Sequence, residues 1–224
     1  MIEPINLTIK GGYGTAFKAP TLEQLYSPVY GSKDLRYEKS AIWEAGFRHS
    51  VSDDTVIWGL TYFDSKYDDQ IYFDSASNSF KNRDSKSSGV EAELNIYVSI
   101  FEFDAAYTHA DIKDRNDSVK VKALRRPQNK FRAALSAYPV AGFSATIETV
   151  YTDKTDDEEY DIFWTAVPVI NKSYTLVNFY TSYDVDETLN VYGKILNLTD
   201  EKYTTAAGYN NKRIDLQAGV KYNF

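Results

Sequence analysis

The end of the chain alternates without a break. From Ile214 to Phe224, apolar Ile214, Leu216, Ala218, Val220, Tyr222 and Phe224 interleave with Asp215, Gln217, Gly219, Lys221 and Asn223. A period of two places successive side chains on opposite faces of a β-strand. Each face then needs its own surroundings, one apolar and one polar. A single strand of this kind also fits the edge of a soluble sheet, so its recurrence decides what the chain can fold into.

The pattern does recur. Leu189, Val191, Gly193 and Ile195 form one such stripe, and Val177, Phe179, Thr181 and Tyr183 another. Phe143 to Thr149, Phe131 to Ala137, Phe101 to Tyr107 and Val90 to Val98 repeat it, as do Val56 to Tyr62 and Trp43 to Phe47. A Gly-rich, less regular first strand runs from about Ile5 to Lys18. The sum is about ten strands, most able to cover the ~9–11 residues that cross a bilayer when tilted. Helix is confined to about one turn near Thr21 to Leu25, after Pro20.

Connections fall into two alternating classes. Short ones lie near Ser50–Asp54, Ser99–Ile100, Pro139–Gly142 and Asp184–Glu187. Long ones lie near Ala19–Glu38, Asp69–Asn82, Asp111–Arg126, Asp153–Lys172 and Thr199–Lys212. In an antiparallel barrel this alternation puts all short turns at one rim and all long loops at the other, the asymmetry of outer-membrane barrels. A soluble β-sandwich, as in a carbohydrate-binding or adhesin module, also alternates. It gives no reason for strict short–long alternation or for strands ending in Phe and Tyr.

Composition narrows the function classes. Aromatic residues make up 15% of the 224 residues, with 19 Tyr, which suits strands meeting a membrane–water interface. Mean hydropathy is -0.46 and no run of 18 apolar residues occurs, so a helical membrane protein is excluded. The absence of Cys removes disulfide scaffolds and thiolate chemistry. A net charge of -7 argues against nucleic acid as a partner. No basic segment followed by an apolar run opens the chain at Met1. For an exported protein, the expectation is therefore a start further upstream, or a fragment.

Four segments, in order, resemble the TonB-dependent outer-membrane receptors, and most of all their cobalamin and siderophore branch. The first is Tyr13-Gly14-Thr15-Ala16-Phe17-Lys18-Ala19-Pro20-Thr21-Leu22-Glu23-Gln24-Leu25-Tyr26. The second runs from Tyr30 to Ser40 and on to Glu44 and Gly46, with Ser32 and Tyr37 where the family more often has Asn and Pro. The third is Leu196-Asn197-Leu198-Thr199-Asp200-Glu201-Lys202-Tyr203, with Thr199 in place of the usual aromatic; the terminal strand is the fourth. The resemblance covers roughly residues 10 to 224. It implies an all-β, antiparallel transmembrane β-barrel of which about ten strands of a roughly 22-stranded whole lie here, in one domain over residues 1–224. An N-terminal plug and the remaining strands would precede it. The implied function is energy-coupled uptake of a scarce metal chelate or cobalamin, with an inner-membrane energy-coupling complex acting through the plug. A passive or structural small barrel, or a non-functional receptor fragment, is the alternative. The resemblance implies no enzyme activity and no cofactor.

Parity assigns side chains to faces. Glu44, Arg48, Glu91, Glu93, Arg132, Glu148, Lys194, Asp215 and Lys221 are expected to face a lumen, either lining a plug or simply forming a polar barrel wall. Tyr26, Tyr30, Trp164, Tyr203 and Tyr209 are expected at the outer rim, as a small-molecule stacking surface or as an interface girdle. Tyr222 and Phe224 resemble the terminal signal read by barrel-assembly machinery, and the apolar faces are expected against outer-membrane lipid. Arg125, Arg126, Lys120, Lys122 and Lys130 form a basic cluster suited to anionic lipid, an anionic ligand or solvent. The acidic run Asp153, Asp156, Asp157, Glu158, Glu159 and Asp161 lacks the regular spacing of a calcium loop. His49 and His109 form no multi-histidine metal site, though His109 could meet Asp111 or Asp114. Gly11, Gly12 and Gly14 lack the Gly-Lys-Ser/Thr continuation of a phosphate loop.

Overall fold

All the alternating segments are strands in the computed structural model, which describes residues 6–51, 54–74, 77–116, 119–163 and 165–223. In chain order they are β1 (Asn6–Lys18), β2 (Glu38–Val51), β3 (Val56–Asp74), β4 (Ser79–Val98), β5 (Phe101–Asn116), β6 (Val119–Lys122), β7 (Asn129–Ala137), β8 (Phe143–Thr152), β9 (Thr155–Tyr160), β10 (Ala166–Asn171), β11 (Tyr174–Asp184), β12 (Leu189–Leu196) and β13 (Asp215–Tyr222). The short helix α1 (Leu22–Tyr26) follows β1. One antiparallel sheet runs β1-β2-β3-β4-β5-β7-β8-β11-β12-β13, with β6 on the outer part of β5 and β9–β10 as a separate hairpin. Among the described residues no helix is long and apolar enough to cross a membrane, so any crossing is by strands.

The register fuses the separate stripes into two continuous faces. Phe47 lies opposite Leu60, Leu60 opposite Ala92, Ala92 opposite Tyr107, Tyr107 opposite Phe131, and Phe131 opposite Tyr151. One residue away, Asn95 faces Asp104, Asp104 faces Ala134, Ala134 faces Glu148, and Glu148 faces Asn178. Ile57, Thr61, Ser65, Ser85, Ala134, Ser136, Glu148 and Asn178 are buried, and all lie on this second face. Ile9, Tyr13, Trp43, Leu60 and Leu216 are exposed, and all lie on the first. A curved sheet crowds its concave side, so the polar face is the concave one. Glycine marks the tightest places there. A Cβ at Gly89 would run into the carbonyl oxygen of His109, and one at Gly219 into the ring of Tyr192 lying across it.

Two expected long loops are largely strand. β3 and β4 continue outward as a paired hairpin past Asp69, through a bulge between Tyr67 and Gln70, and β5 with β6 does the same past Asp111. A third, 153–172, holds the β9–β10 hairpin. These extensions carry Ser, Lys, Arg and Asp on both faces, so hydropathy alternation vanishes while backbone pairing continues. Hairpins beyond the apolar zone need no two-sided contrast. Ion pairs help hold them, as between Arg83 and Asp114 at 2.9 Å.

Candidate functional site: the concave face and the outer loop layer

The concave face is a lattice of cross-strand hydrogen bonds. Ser136 meets Thr146 at 2.8 Å and Ser144 meets Ser182 at 2.8 Å, each a direct register pair. At its centre is Glu148. Arg132 Nε donates to Oε1 at 2.5 Å, while Asn178 Nδ2 and Tyr180 Oη donate to Oε2 at 2.9 and 3.0 Å. Three strands thereby satisfy one carboxylate that would be costly to leave unpaired in the crowded face. Asn178 also passes the network on, accepting the backbone N–H of Asn197 at 2.9 Å.

All of Glu44, Arg48, Glu91, Glu93, Arg132, Glu148, Lys194, Asp215 and Lys221 lie on this one face by register. They do not act as one group. Arg132 pairs with Glu148, and Asp215 with Lys212 at 3.1 Å. The others make no ion pair among the described residues, so much of the concave charge is unspent.

The motif Leu196–Tyr203 works as a clasp. Asn197 and Asp200 both take positive φ, 54° each, which Asn and Asp tolerate better than other side-chain-bearing residues. Asn197 closes its turn by donating to the Glu201 carbonyl at 2.9 Å and accepting the Glu201 N–H at 2.8 Å. Asp200 accepts two bonds from Arg213, at 2.7 and 2.5 Å, and one from the backbone of Ile214 at 3.2 Å. The end of β12 is thus tied to the start of β13. Arg213 also holds the Asp200 carboxyl below its ordinary pKa.

At the other end of the strand order, Thr21 caps α1. Its hydroxyl accepts the Gln24 N–H at 3.2 Å and the Gln24 side chain accepts the Thr21 N–H at 2.9 Å, a reciprocal capping box. The loop beyond is stitched to the β3–β4 hairpin. Arg36 donates its N–H to Asn82 at 2.8 Å and its Nε to Asp69 at 2.7 Å.

The outer loop layer has its own hub. Asp157, on β9, is 1% exposed. Arg125 Nε reaches it at 2.7 Å, Asn171 Nδ2 at 2.9 Å, the Glu158 N–H at 2.8 Å and the Ala207 N–H at 2.7 Å. Burial pushes its pKa up, but the N–H of Ala207, the amide of Asn171, the N–H of Glu158 and Arg125 outweigh that and hold it at about 2. Three loops meet there: the β5–β7 connection, the β9–β10 hairpin and the β12–β13 loop. The backbone N–H of Arg125 adds a 2.8 Å bond to the Asp156 carbonyl.

The rim aromatics divide into two groups at opposite ends of the strand order. Tyr26 is exposed on α1, with Lys33 Nζ 5.8 Å from its ring. Tyr30 packs edge-on against Phe73 and Phe80, at 6.2 and 5.8 Å, and donates its hydroxyl to Glu23 at 2.5 Å. That bond raises its pKa. Tyr203 lies over Tyr174 at 4.6 Å, and burial raises its pKa. Tyr209 is 72% exposed in the β12–β13 loop. Trp164, Phe224 and the side chains of Lys120 and Lys122 lie outside the described residues. His109 meets Asn129 at 2.9 Å rather than either aspartate suggested by proximity in sequence. The Asp157 hub is the feature that residue-by-residue reading missed. Its only outward sign is a basic loop and an acidic loop in one chain.

Residues 3–198 match the TonB dependent receptor-like β-barrel family. The chain belongs to the TonB-dependent receptor β-barrels. The vitamin B12 transporter BtuB of Vibrio cholerae is 29% identical over 160 residues, covering 70% of this chain and 25% of the relative. Among solved structures, the siderophore receptor PirA from Acinetobacter baumannii superposes with a TM-score of 0.78 at 16% identity, covering 100% of this chain and 40% of that one. The pyoverdine receptor FpvA from Pseudomonas aeruginosa PAO1 gives 0.75 at 18%, covering 97% and 34%. The chain therefore spans about a quarter of the curated relative it matches. These likenesses confirm an antiparallel barrel sheet, here open rather than closed. TonB-dependent receptor barrels reside in the Gram-negative outer membrane, and so does this one. Relatives with assigned roles are transporters and receptors, not enzymes.

Proposed function

We propose that the chain is the carboxyl-terminal part of the barrel of an outer-membrane receptor that takes up a scarce metal chelate or cobalamin with energy coupling. Family membership carries the reading, together with a concave polar face whose charges are largely unpaired beneath a latched loop layer. A transporter of vitamin B12 and a siderophore receptor among its relatives point to the same class of cargo. In this reading the apolar convex face meets lipid and the unpaired Glu44, Arg48, Glu91 and Lys194 face a plug. The plug and further strands supply the gate and the contact with the inner-membrane energy-coupling complex. The outer loops select the cargo, with Tyr26, Tyr30, Trp164, Tyr203 and Tyr209 as stacking surfaces. Tyr222 and Phe224 direct insertion by barrel-assembly machinery.

The test is uptake of radiolabelled ferric chelates and cobalamin by a Gram-negative strain stripped of its own receptors and expressing the protein. Uptake that an uncoupler abolishes supports the reading. Uptake indifferent to the uncoupler favours a passive pore instead.

A further inference from the structure

A basic cleft opens on the concave side of the outer rim. Lys130 on β7, Thr152 on β8 and Tyr174 on β11 are register partners in one row, on the same face as Arg132 and Glu148. They line a cleft of about 190 Å³ with Lys172 and Arg125. Thr204 and Thr205 of the β12–β13 loop line the same cleft, Thr205 with its hydroxyl bonded to the side chain of Asn211 at 3.2 Å. Three cations thus face one lining carboxylate, Asp153, which is already committed to the amide of Asn129 at 2.7 Å and the N–H of Lys154 at 2.8 Å. Arg125 spends its Nε on Asp157, yet its side chain remains 50% exposed. Lys130 and Lys172 are exposed and have no partner among the described residues.

Cations and threonines converge here beside the ring of Tyr174, which is itself packed against Tyr203. Such a donor set suits an oxygen anion: charge-assisted N–H bonds from Lys and Arg, O–H bonds from Thr, and a ring face beside the ligand. The Asp157 hub fixes two of the walls, because it grips both Arg125 and the backbone of Ala207, two residues beyond Thr205. A preformed site loses less on binding than one that must order its loops.

We propose that this cleft is an anion subsite, which receives one oxyanionic group of the cargo, so that the preferred cargo is an anionic chelate rather than a neutral one. The inference rests on the receptor reading above for the identity of the cargo, but the anion site itself does not. Its volume fits a single carboxylate, phosphate or catecholate group and not a whole chelate. The rest of the cargo would lie over the concave face.

The experiment uses the full chain folded in detergent micelles, with heat-modifiable gel migration as the folding check. The probes are inorganic pyrophosphate, followed by phosphorus NMR, and two ferric chelates, an anionic tris-catecholate and a neutral tris-hydroxamate, followed by fluorescence quenching. The variant is Lys130→Gln with Lys172→Gln, two exposed side chains whose loss should leave the fold intact. Wild type is expected to bind pyrophosphate and the tris-catecholate, and the double variant to bind both at least about tenfold more weakly, at unchanged affinity for the neutral chelate. Equal binding of the anions by both proteins overturns the proposal. Binding of the neutral chelate without pyrophosphate overturns the subsite and leaves the receptor reading in place. Pyrophosphate binding that the variant loses, with no chelate bound, keeps the subsite and removes that reading. No binding of any probe overturns both.

Discussion

Two buried carboxylates, Glu148 and Asp157, solve the same problem by different means. Each is held by several donors, including one arginine, at 2.5 to 3.0 Å. The donors to Glu148 come from β7 and β11, its hydrogen-bonded neighbours, so the sheet alone brings them together. Those to Asp157 come from its own hairpin and from two loops at sequence distances of 32 and 50 residues. In the first case the backbone positions the side chains. In the second, the side chain positions the backbone. Removing Glu148 should therefore weaken a wall that other bonds still define, whereas removing Asp157 should free the loops themselves.

Asp157→Ala gives the largest expected effect. It leaves the buried amide of Asn171 and the N–H groups of Glu158 and Ala207 without their acceptor at once, while half-exposed Arg125 returns to water, a local loss of about 3 kcal/mol. Hydrogen exchange in the β9–β10 hairpin and at residues 204–209 should rise on the order of a hundredfold. Exchange in β7, β8 and β11 should stay put. Acceleration spread evenly over strands and loops would sink the distinction between the two carboxylates.

Acid makes the same break without a mutation. The Asp157 pKa is depressed in the folded loops, so its contribution is complete above the ordinary carboxylate value of 3.8 and lost as pH falls through about 2. The hairpin should resist an acid-active protease at pH ~4 and be nicked below pH ~2. The Asp157→Asn variant, which cannot titrate, should be cut alike at both. A hairpin cut equally at both values in the wild type would show that this carboxylate does not hold the loops.

Glu148→Ala comes next, at about 2 kcal/mol. It leaves Asn178 and Tyr180 without their acceptor, but Arg132, half exposed, returns to water. The readout is the urea midpoint of heat-modifiable migration, expected to fall without any gain in protease sensitivity of the loops.

The same contrast governs what could be read from the residues alone. Strands β1 to β5, β7, β8 and β11 to β13 are legible because a bilayer-spanning wall must alternate, and parity then assigns Glu44 or Lys194 to its face without coordinates. The outer halves of β3, β4 and β5 are not, because Asn82 to Ser88 or Asp111 to Asp114 carry polar side chains at nearly every position and leave no contrast. Arg132 and Glu148 are each readable as members of the polar face. Their pairing depends on register across β7 and β8, which alternation does not fix. Asp157 is indistinguishable from Asp156 and Glu158 in a run of acids. Only the folding back of two distant loops singles it out, and loop closure leaves no periodic trace.

The smallest expected effect lies where the lattice repairs itself. The ring of Tyr192 covers the backbone of Gly219, its direct partner across β12 and β13, supplying apolar contact that glycine lacks. Tyr192→Ala should cost roughly 0.5–1 kcal/mol, the scale of a cross-strand pair. Gly219→Val in the wild-type background should cost more, since the branched side chain meets the ring. Combined with Tyr192→Ala, Gly219→Val should become nearly harmless, because the valine then fills the space that the ring vacates. Urea midpoints of the two single variants and the double variant measure the coupling. Strict additivity would mean that the ring and the glycine are independent, and that β12 and β13 hold together by backbone bonds alone.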